Sequence, residues 1–284
     1  AFIVDALGRN DATDYVCVQH EQAAAMAVDG VWRVTGKVGV TCATSGPGAT
    51  NLLTGIACSW FDSIPAIHIT GQVNQRESAQ TLGVSVRQAG FQETDIVSIA
   101  APLTKWAIQV TSVAELAETL PHALSIAQSG RMGPVLIDIP MDVQQDVCTP
   151  EDLETAFTLQ ETCDEAEPGC TSAEDLQDAM AGFVNEAERP LFILGAGLGL
   201  SGTARVVQEF CEASGIPYLS SWGGMPFLDR SREHYFGSLG VYGDRIGNLA
   251  VQSADRLVGL GTRLDNRQRT GNPSGFAPFA RILV

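Results

Sequence analysis

Apolar residues in the first half of the chain alternate between two periods. TDYVCVQH, KVGVTCAT, PAIHITGQV and VLIDIP are short apolar runs that predict strands. Between them, EQAAAMAVDGVWRVTG, ATNLLTGIACSWFDS and VAELAETLPHALSIAQ carry helical spacing, the last ended by SGRMGP. In the first of these helices, Ala23, Ala24, Ala27, Val31 and Val34 mark one apolar face. Strands separated by helices of this length predict a parallel sheet with helices on both faces.

The second half restarts the pattern. DLQDAMAGFVNEA is a helix, PLFILGAG a strand, and ARVVQEFCEASG a helix with a glycine stop. PYLSS, RLVGLG and ARILV read as further strands. The predicted fold class is therefore α/β: a parallel sheet flanked by helices, followed by a partial second, Rossmann-like α/β domain. A chain that opens without Met and ends on a strand with no helix after it is expected to be a fragment.

The 284 residues fit one large domain or two ordinary ones. Forty-five per cent hydrophobic and 18% charged residues exclude a disordered chain. A net charge of −16 excludes a general nucleic-acid binder, which needs a basic face to displace counterions. No apolar run is long enough to span a membrane and no signal-peptide pattern opens the chain, so a cytoplasmic location is expected. From Asp146 to Asp175 there are ten Asp or Glu and no Lys or Arg. Such a run repels itself and reads as a linker at 146–170, between a first domain at 1–145 and a second at 171–284.

Seven scattered cysteines show no zinc spacing, which argues against a structural metal site and for a reducing compartment. Cys17, Cys42 and Cys58 lie in apolar stretches and are expected to be buried as small hydrophobes. GAGLGL at 195–200 stands between a strand and a helix, but its last fingerprint position is Leu200 and no acidic residue ends the next strand. Close helix packing explains it better than a nicotinamide site. ATSGPGATN is a second strand–turn–helix, without the GK[ST] ending of a P-loop, and Ser45 lacks a GxSxG setting. His20, His68, His122 and His234 fall in no recognised motif. Glu21 opens a helix, where its charge is favourable by about 0.3–1 kcal/mol. A carboxylate set among alanines is also open to poor solvation and a raised pKa.

Taken together, QHEQAAAMA, TCATSGPGATNLLTGIACSWFDSIPAIHITGQV, GFQETDIV, PLTKW and SGRMGPVLIDIPMDV resemble the pyrimidine-binding domain of acetolactate synthase-like, thiamine diphosphate-dependent enzymes. PLFILGAG, GVYGDRIGNLAVQSADRLVGLGTRLDNRQRTGN and ARILV are similar to the family's middle domain. In detail the chain looks closest to the branch linked to cell-surface polysaccharide synthesis.

The resemblance implies a 2-oxo acid substrate such as pyruvate, decarboxylated and joined to a second carbonyl on thiamine diphosphate. Glu21 matches the glutamate that hydrogen-bonds N1′ of the aminopyrimidine, favouring the 4′-imino form that removes the C2 proton. A raised pKa would suit that proton exchange. Thr44, Pro47 and Asn51 match positions around the pyrimidine pocket. Gln92 matches a glutamine reaching the active site, and Phe91 an aromatic near the substrate. Arg131 matches an arginine that contacts FAD in true acetolactate synthases, so FAD is a candidate second cofactor. Arg263 falls near the family's substrate or flavin region.

Three departures stand out. Met141 in PMDV replaces the usual Lys, removing a positive charge from the substrate channel. The loop TLGVSVRQAGFQE is longer than the family's usual version. No GDG followed by a distant Asn is present, the motif that holds Mg2+ and the diphosphate, so the Mg2+ ligands are expected in a domain beyond Val284. The family implies a homo-oligomer, at least a dimer, with its active site at the subunit interface. The alternatives are a 2-oxo acid decarboxylase or oxidase of the same family, or a non-catalytic, dimerising half-subunit.

Overall fold

The computed structural model describes residues 2–150 and 173–284. The chain divides into two compact units, Ala1–Pro168 and Gly169–Val284. Of the predicted linker, residues 151–170 lie outside the described residues.

Four parallel strands form the sheet of the first unit: β1 (Gly39–Ala43), β2 (Ala66–Gln72), β3 (Trp106–Gln109) and β4 (Pro134–Pro140). Their order is β1-β2-β4-β3. All seven residues of β4 are buried, as expected of a strand with helices on both faces. On one face Ile67, Val135, Ile137 and Ile139 pack with Ala123 and Ala127 of the helix Val113–Gln128. On the other, Leu136 meets Ala25, Leu52, Ile56 and Ile96. These side chains come from the helices Glu21–Thr35, Pro47–Asp62 and Ile96–Ala100. The first two of these cross closely. A Cβ added at Gly55 would collide with the Cβ of Ala25, so only glycine permits this approach.

Three expectations from sequence are corrected. TDYVCVQH is not a strand: residues 13–20 pair with no strand among the described residues, and all eight are exposed. Alternating apolar residues favour a strand only where a ladder partner exists, and β1 is laddered on β2 alone. Next, the apolar face of the 21–35 helix is not the packed one. Ala25, Val28 and Asp29 are buried, whereas Ala23, Ala27, Val31 and Val34 are exposed and Ala24 is half-buried. The helix carries apolar residues on two sides, and the tight crossing at Gly55 selects the Ala25 side. Lastly, Cys17, Cys42 and Cys58 are exposed; among the described cysteines only Cys211 is buried. Cys17 lies in the unladdered segment and Cys42 on the outer face of an edge strand.

The second unit is a five-stranded parallel sheet of order β7-β6-β5-β8-β9. Its strands are β5 (Pro190–Leu194), β6 (Tyr218–Ser220), β7 (Tyr235–Ser238), β8 (Arg256–Leu260) and β9 (Arg281–Leu283). Central β5 is buried on both faces: Leu191 and Ile193 pack with Leu219, Val251 and Leu257, while Phe192 and Leu194 pack with Cys211, Tyr218 and Val258. Both units are thus parallel sheets flanked by helices. The strands β3 and β7, four residues each, carry no period long enough to read from sequence.

The GAGLGL turn is a packing device. Gly195 and Gly197 donate their N–H groups to the carbonyls of Leu260 and Gly261, at 2.8 and 2.9 Å. A Cβ at Gly195 would strike the Gly261 backbone. Amides that a nucleotide phosphate would need are already committed to the neighbouring loop. No helix among the described residues is long and apolar enough to cross a membrane.

Candidate functional site

In a parallel α/β sheet the chain turns from strand to helix at the carboxyl ends of the strands, which is where such folds place their sites. β1 ends at Ala43 and feeds Thr44, Ser45, Gly46 and Pro47. Gly46 caps the next helix with φ 61°, a left-handed value that favours glycine, and Pro47 begins it, where no donor is lost. The 21–35 helix runs antiparallel to β1, so its first residue, Glu21, returns to the same end. His20 caps that helix, its Nδ1 accepting the N–H of Gln22 at 3.2 Å.

Glu21 and the SGPG turn meet there. The Asn51 Nδ2 donates to Glu21 Oε2 at 3.0 Å. A Cβ added at Gly48 would stand 2.7 Å from Thr44 Cγ2 and 3.2 Å from Glu21 Oε1. One added at Gly46 would stand 2.8 Å from Gln92 Cβ and 2.9 Å from the Gln92 carbonyl oxygen. Glu21, Thr44, Pro47, Asn51 and Gln92 therefore belong to one cluster, walled by glycine backbone.

Gln92 has φ 60°, uncommon for a residue with a side chain. Its neighbour Glu93 fixes this loop by accepting the N–H groups of Ala79, Ala89 and Gly90 at 2.8, 2.9 and 3.0 Å. Phe91, beside Gln92, is 84% exposed, a large apolar ring with almost nothing packed on it.

Asn51's amide and Glu21's own backbone N–H hold the Glu21 carboxyl below the ordinary carboxylate range, and burial opposes them only weakly. This corrects the expectation of a raised pKa. The flanking alanines do not desolvate the group, because it is partly exposed at a helix N-terminus with a donor aimed at it.

Arg131 lies at the other end of the same unit's 47–62 helix. The Arg131 Nε donates to Ser63 Oγ at 2.8 Å, and Ser63 caps the far end of the 47–62 helix. Sixteen residues of helix, about 24 Å at 1.5 Å per residue, separate that end from Gly46. Arg263 belongs to the second unit, its Nε 3.7 Å from Asp265. Among the described residues no group of three or more His, Cys, Asp or Glu is placed to hold a metal ion.

Sequence reasoning missed the capping role of His20 and the part played by Glu93. His20 stands at a helix start, a position that signals a cap. Glu93 accepts from Ala89 and Gly90, four and three residues before it, and from Ala79 in a separate turn, a pattern that no helix or strand period announces.

Residues 2–99 match the family described as thiamine pyrophosphate enzyme, N-terminal TPP binding domain. Residues 177–284 match the thiamine pyrophosphate enzyme central domain. The chain is similar to the acetolactate synthase isozyme 2 large subunit of Escherichia coli, 38% identical over 281 residues, covering 99% of this chain and 48% of that protein. It is 36% identical over 283 residues to the mitochondrial acetolactate synthase catalytic subunit of Saccharomyces cerevisiae, covering 98% and 40%. With the acetolactate synthase large subunit of Lactococcus lactis it shares 34% over 281 residues, covering 99% and 46%. The chain spans about half the length of the curated relatives it matches.

Proposed function

The chain belongs to the thiamine pyrophosphate enzymes, acetolactate synthase-like, and from that membership we propose that it supplies the pyrimidine-binding half of an active site that decarboxylates a 2-oxo acid and joins the remainder to a second carbonyl. The observation that carries this reading is the Glu21–Asn51 pair set against the Gly46–Pro47–Gly48 turn. A flat aromatic ring needs an edge partner for its ring nitrogen and a wall without side chains for its face. Glu21 offers the first, and Gly46 and Gly48 let Gln92, Thr44 and Glu21 close onto the backbone of the turn that would form the second.

Thiamine diphosphate, when bound, supplies the carbanion chemistry of decarboxylation and carbon–carbon bond formation. The role of Glu21 is to share a proton with the pyrimidine N1′. Asn51 aims the carboxylate and Thr44 and Pro47 border the ring. Gln92, held against Gly46, would serve the reacting end, with Phe91 next to it in the chain. In this chain the Glu21 carboxyl is held low by its donors, which suits a resting anion. Covering it with an aromatic ring and a second subunit removes water and raises its proton affinity toward that of the ring nitrogen.

The second apolar side of the 21–35 helix supports a homo-oligomer, at least a dimer. Met26, Val31 and Val34 are exposed there, Val34 to 86%. Residues that hold Mg2+ and the diphosphate belong, on this reading, to another part of the enzyme. FAD at Arg131 is carried over from the resemblance alone, and a cytoplasmic location from the sequence pattern alone. Met141 opens a short helix after β4, at the same sheet end as Glu21. An apolar side chain there supports an acceptor other than a second pyruvate.

The test is Glu21→Gln in the complete enzyme. Turnover of a 2-oxo acid should fall by about 100-fold or more, the scale of losing a positioned acid–base group. Circular dichroism and thermal midpoint should stay as in the wild type. Unimpaired exchange of the cofactor C2 proton in the variant sinks the proposed role of Glu21.

A further inference from the structure

Asp138 is buried in the middle of β4 with no cation to pair with among the described residues; the charge felt there is that of Asp95, another carboxylate. Burial pushes its carboxyl above the ordinary range, and its hydrogen bonds offset part of that. Such a group is costly to bury unless neutral donors surround it. Three do. Thr70 Oγ1 donates to Oδ1 at 2.6 Å, and Gln72 Nε2 and Gln109 Nε2 donate to Oδ2 at 3.1 and 2.8 Å.

The Gln72 amide points two ways. The same Nε2 donates to the Thr94 carbonyl at 2.8 Å, while Oε1 accepts the N–H of Val73 at 3.0 Å. Every hydrogen-bonding capacity of that amide nitrogen is used, which fixes the side chain's orientation. Thr94 lies two residues past Gln92, in the segment that packs on Gly46. Gly90 of the same segment presses on Val73, the residue after Gln72. The sheet is thus tied to the loop through one side chain, and Asp138 holds that side chain from behind.

We propose that Asp138 and Gln72 are positioning residues, which clamp the 90–95 segment onto the end of the sheet and so hold Gln92 in its left-handed conformation against the Gly46 turn. Their place in the reaction rests on the reading of the site given above; the mechanical link does not. Asp138 touches neither Gln92 nor Glu21 and acts only through Gln72. A buried carboxylate that satisfied only its own sheet would have no need of the amide that reaches the loop.

The experiment is hydrogen–deuterium exchange on the 284-residue chain, comparing wild type with Gln72→Met, Asp138→Leu and the double variant. Gln72→Met keeps length and apolar volume and removes both donors. Asp138→Leu keeps the volume and removes the acceptor that holds Gln72 from behind. Each should speed exchange across 89–95 by about tenfold or more, as expected for a locally opened loop. Because both act through one link, the double variant should exchange no faster than the singles. Gln109→Met strips the same carboxylate of a donor without touching the loop and should leave 89–95 as in the wild type. Wild-type exchange in Gln72→Met, additive effects in the double variant, or equal loosening by Gln109→Met each overturns the link. In the complete enzyme, Gln72→Met should raise KM for the 2-oxo acid several-fold with a smaller change in kcat; an unchanged KM beside a loosened loop overturns the role in the site. Absence of any thiamine diphosphate-dependent turnover in the wild type would sink the proposed function and leave the exchange result standing.

Discussion

Asn51 and Glu21 are thirty residues apart in sequence and 3.0 Å apart in space, joined by one hydrogen bond from the Asn51 amide to the Glu21 carboxylate. The bond exists because two helices that begin at the same sheet end cross at Gly55, where a side chain would hold them apart. It is also the largest cause of the lowered Glu21 pKa. Asn51→Leu should therefore move the Glu21 carboxyl up toward its ordinary value. The sign for stability follows. A carboxyl held low in the folded state contributes stability above its unfolded pKa and loses it as pH falls through the folded one. The variant should lack that contribution at neutral pH. A carbon-13 NMR titration of the Glu21 carboxyl checks the shift, and an unmoved titration would remove Asn51 as its cause.

Gly46 and Gly36 differ both in strain and in what surrounds them. Both have positive φ, 61° and 67°. A Cβ at Gly36 meets nothing within 4 Å, whereas one at Gly46 meets Gln92 at 2.8 Å. Gly36→Ala should cost about 1 kcal/mol, the strain of a left-handed residue with a side chain. Gly46→Ala should cost about 1–3 kcal/mol more, because its ψ of −122° lies outside the left-handed helical region and packed backbone must shift as well. Urea denaturation of the two variants compares them directly; equal losses would mean that Gln92 is not seated on the turn.

His68 predicts an acid-sensitive core. It is fully buried in β2, with Nδ1 2.9 Å from Thr41 Oγ1 and no partner for Nε2 among the described residues. Burial pushes its pKa down to about 3. The unfolded chain, titrating near the ordinary value of about 6.5, binds the proton first. Stability should thus fall as pH drops from about 6.5 toward 3, at up to about 1.4 kcal/mol per pH unit. His68→Leu should remove this part of the slope whatever it does to stability at pH 7. Parallel urea titrations at pH 7 and pH 4.5 decide it: a slope equal to the wild type's would place the acid sensitivity elsewhere.

The fold and the core of the site were legible in the sequence for a shared reason. The strands and helices around Glu21 and the SGPG turn are long enough to show their period, and the turn glycines announce themselves. What escaped was decided by partners distant in the chain. TDYVCVQH has the alternation of a strand, but alternation does not supply a neighbour to ladder with. The Glu21 pKa depends on an amide thirty residues away. Asp138 reads as a polar residue in an apolar run, and only the positions of Thr70, Gln72 and Gln109 show why it is tolerated.

The 21–35 helix shows this most plainly, because its sequence carries apolar residues on two sides and the chain itself covers one. Ala25 and Val28 are buried, while Ala23, Met26, Ala27, Val31 and Val34 are exposed. An exposed apolar stripe on a helix whose first residue is the proposed N1′ partner fits a second copy of the enzyme better than solvent. Val31→Asp and Val34→Asp introduce charge without touching the packed side. Each should leave the thermal midpoint of the isolated chain within about 2 °C of wild type, as surface substitutions do. In the complete enzyme the same changes should shift sedimentation toward monomer and lower affinity for thiamine diphosphate together, since the proposed interface and the proposed pyrimidine pocket share one helix. Dimers that persist in both variants would show that this face is not the one through which the subunits meet.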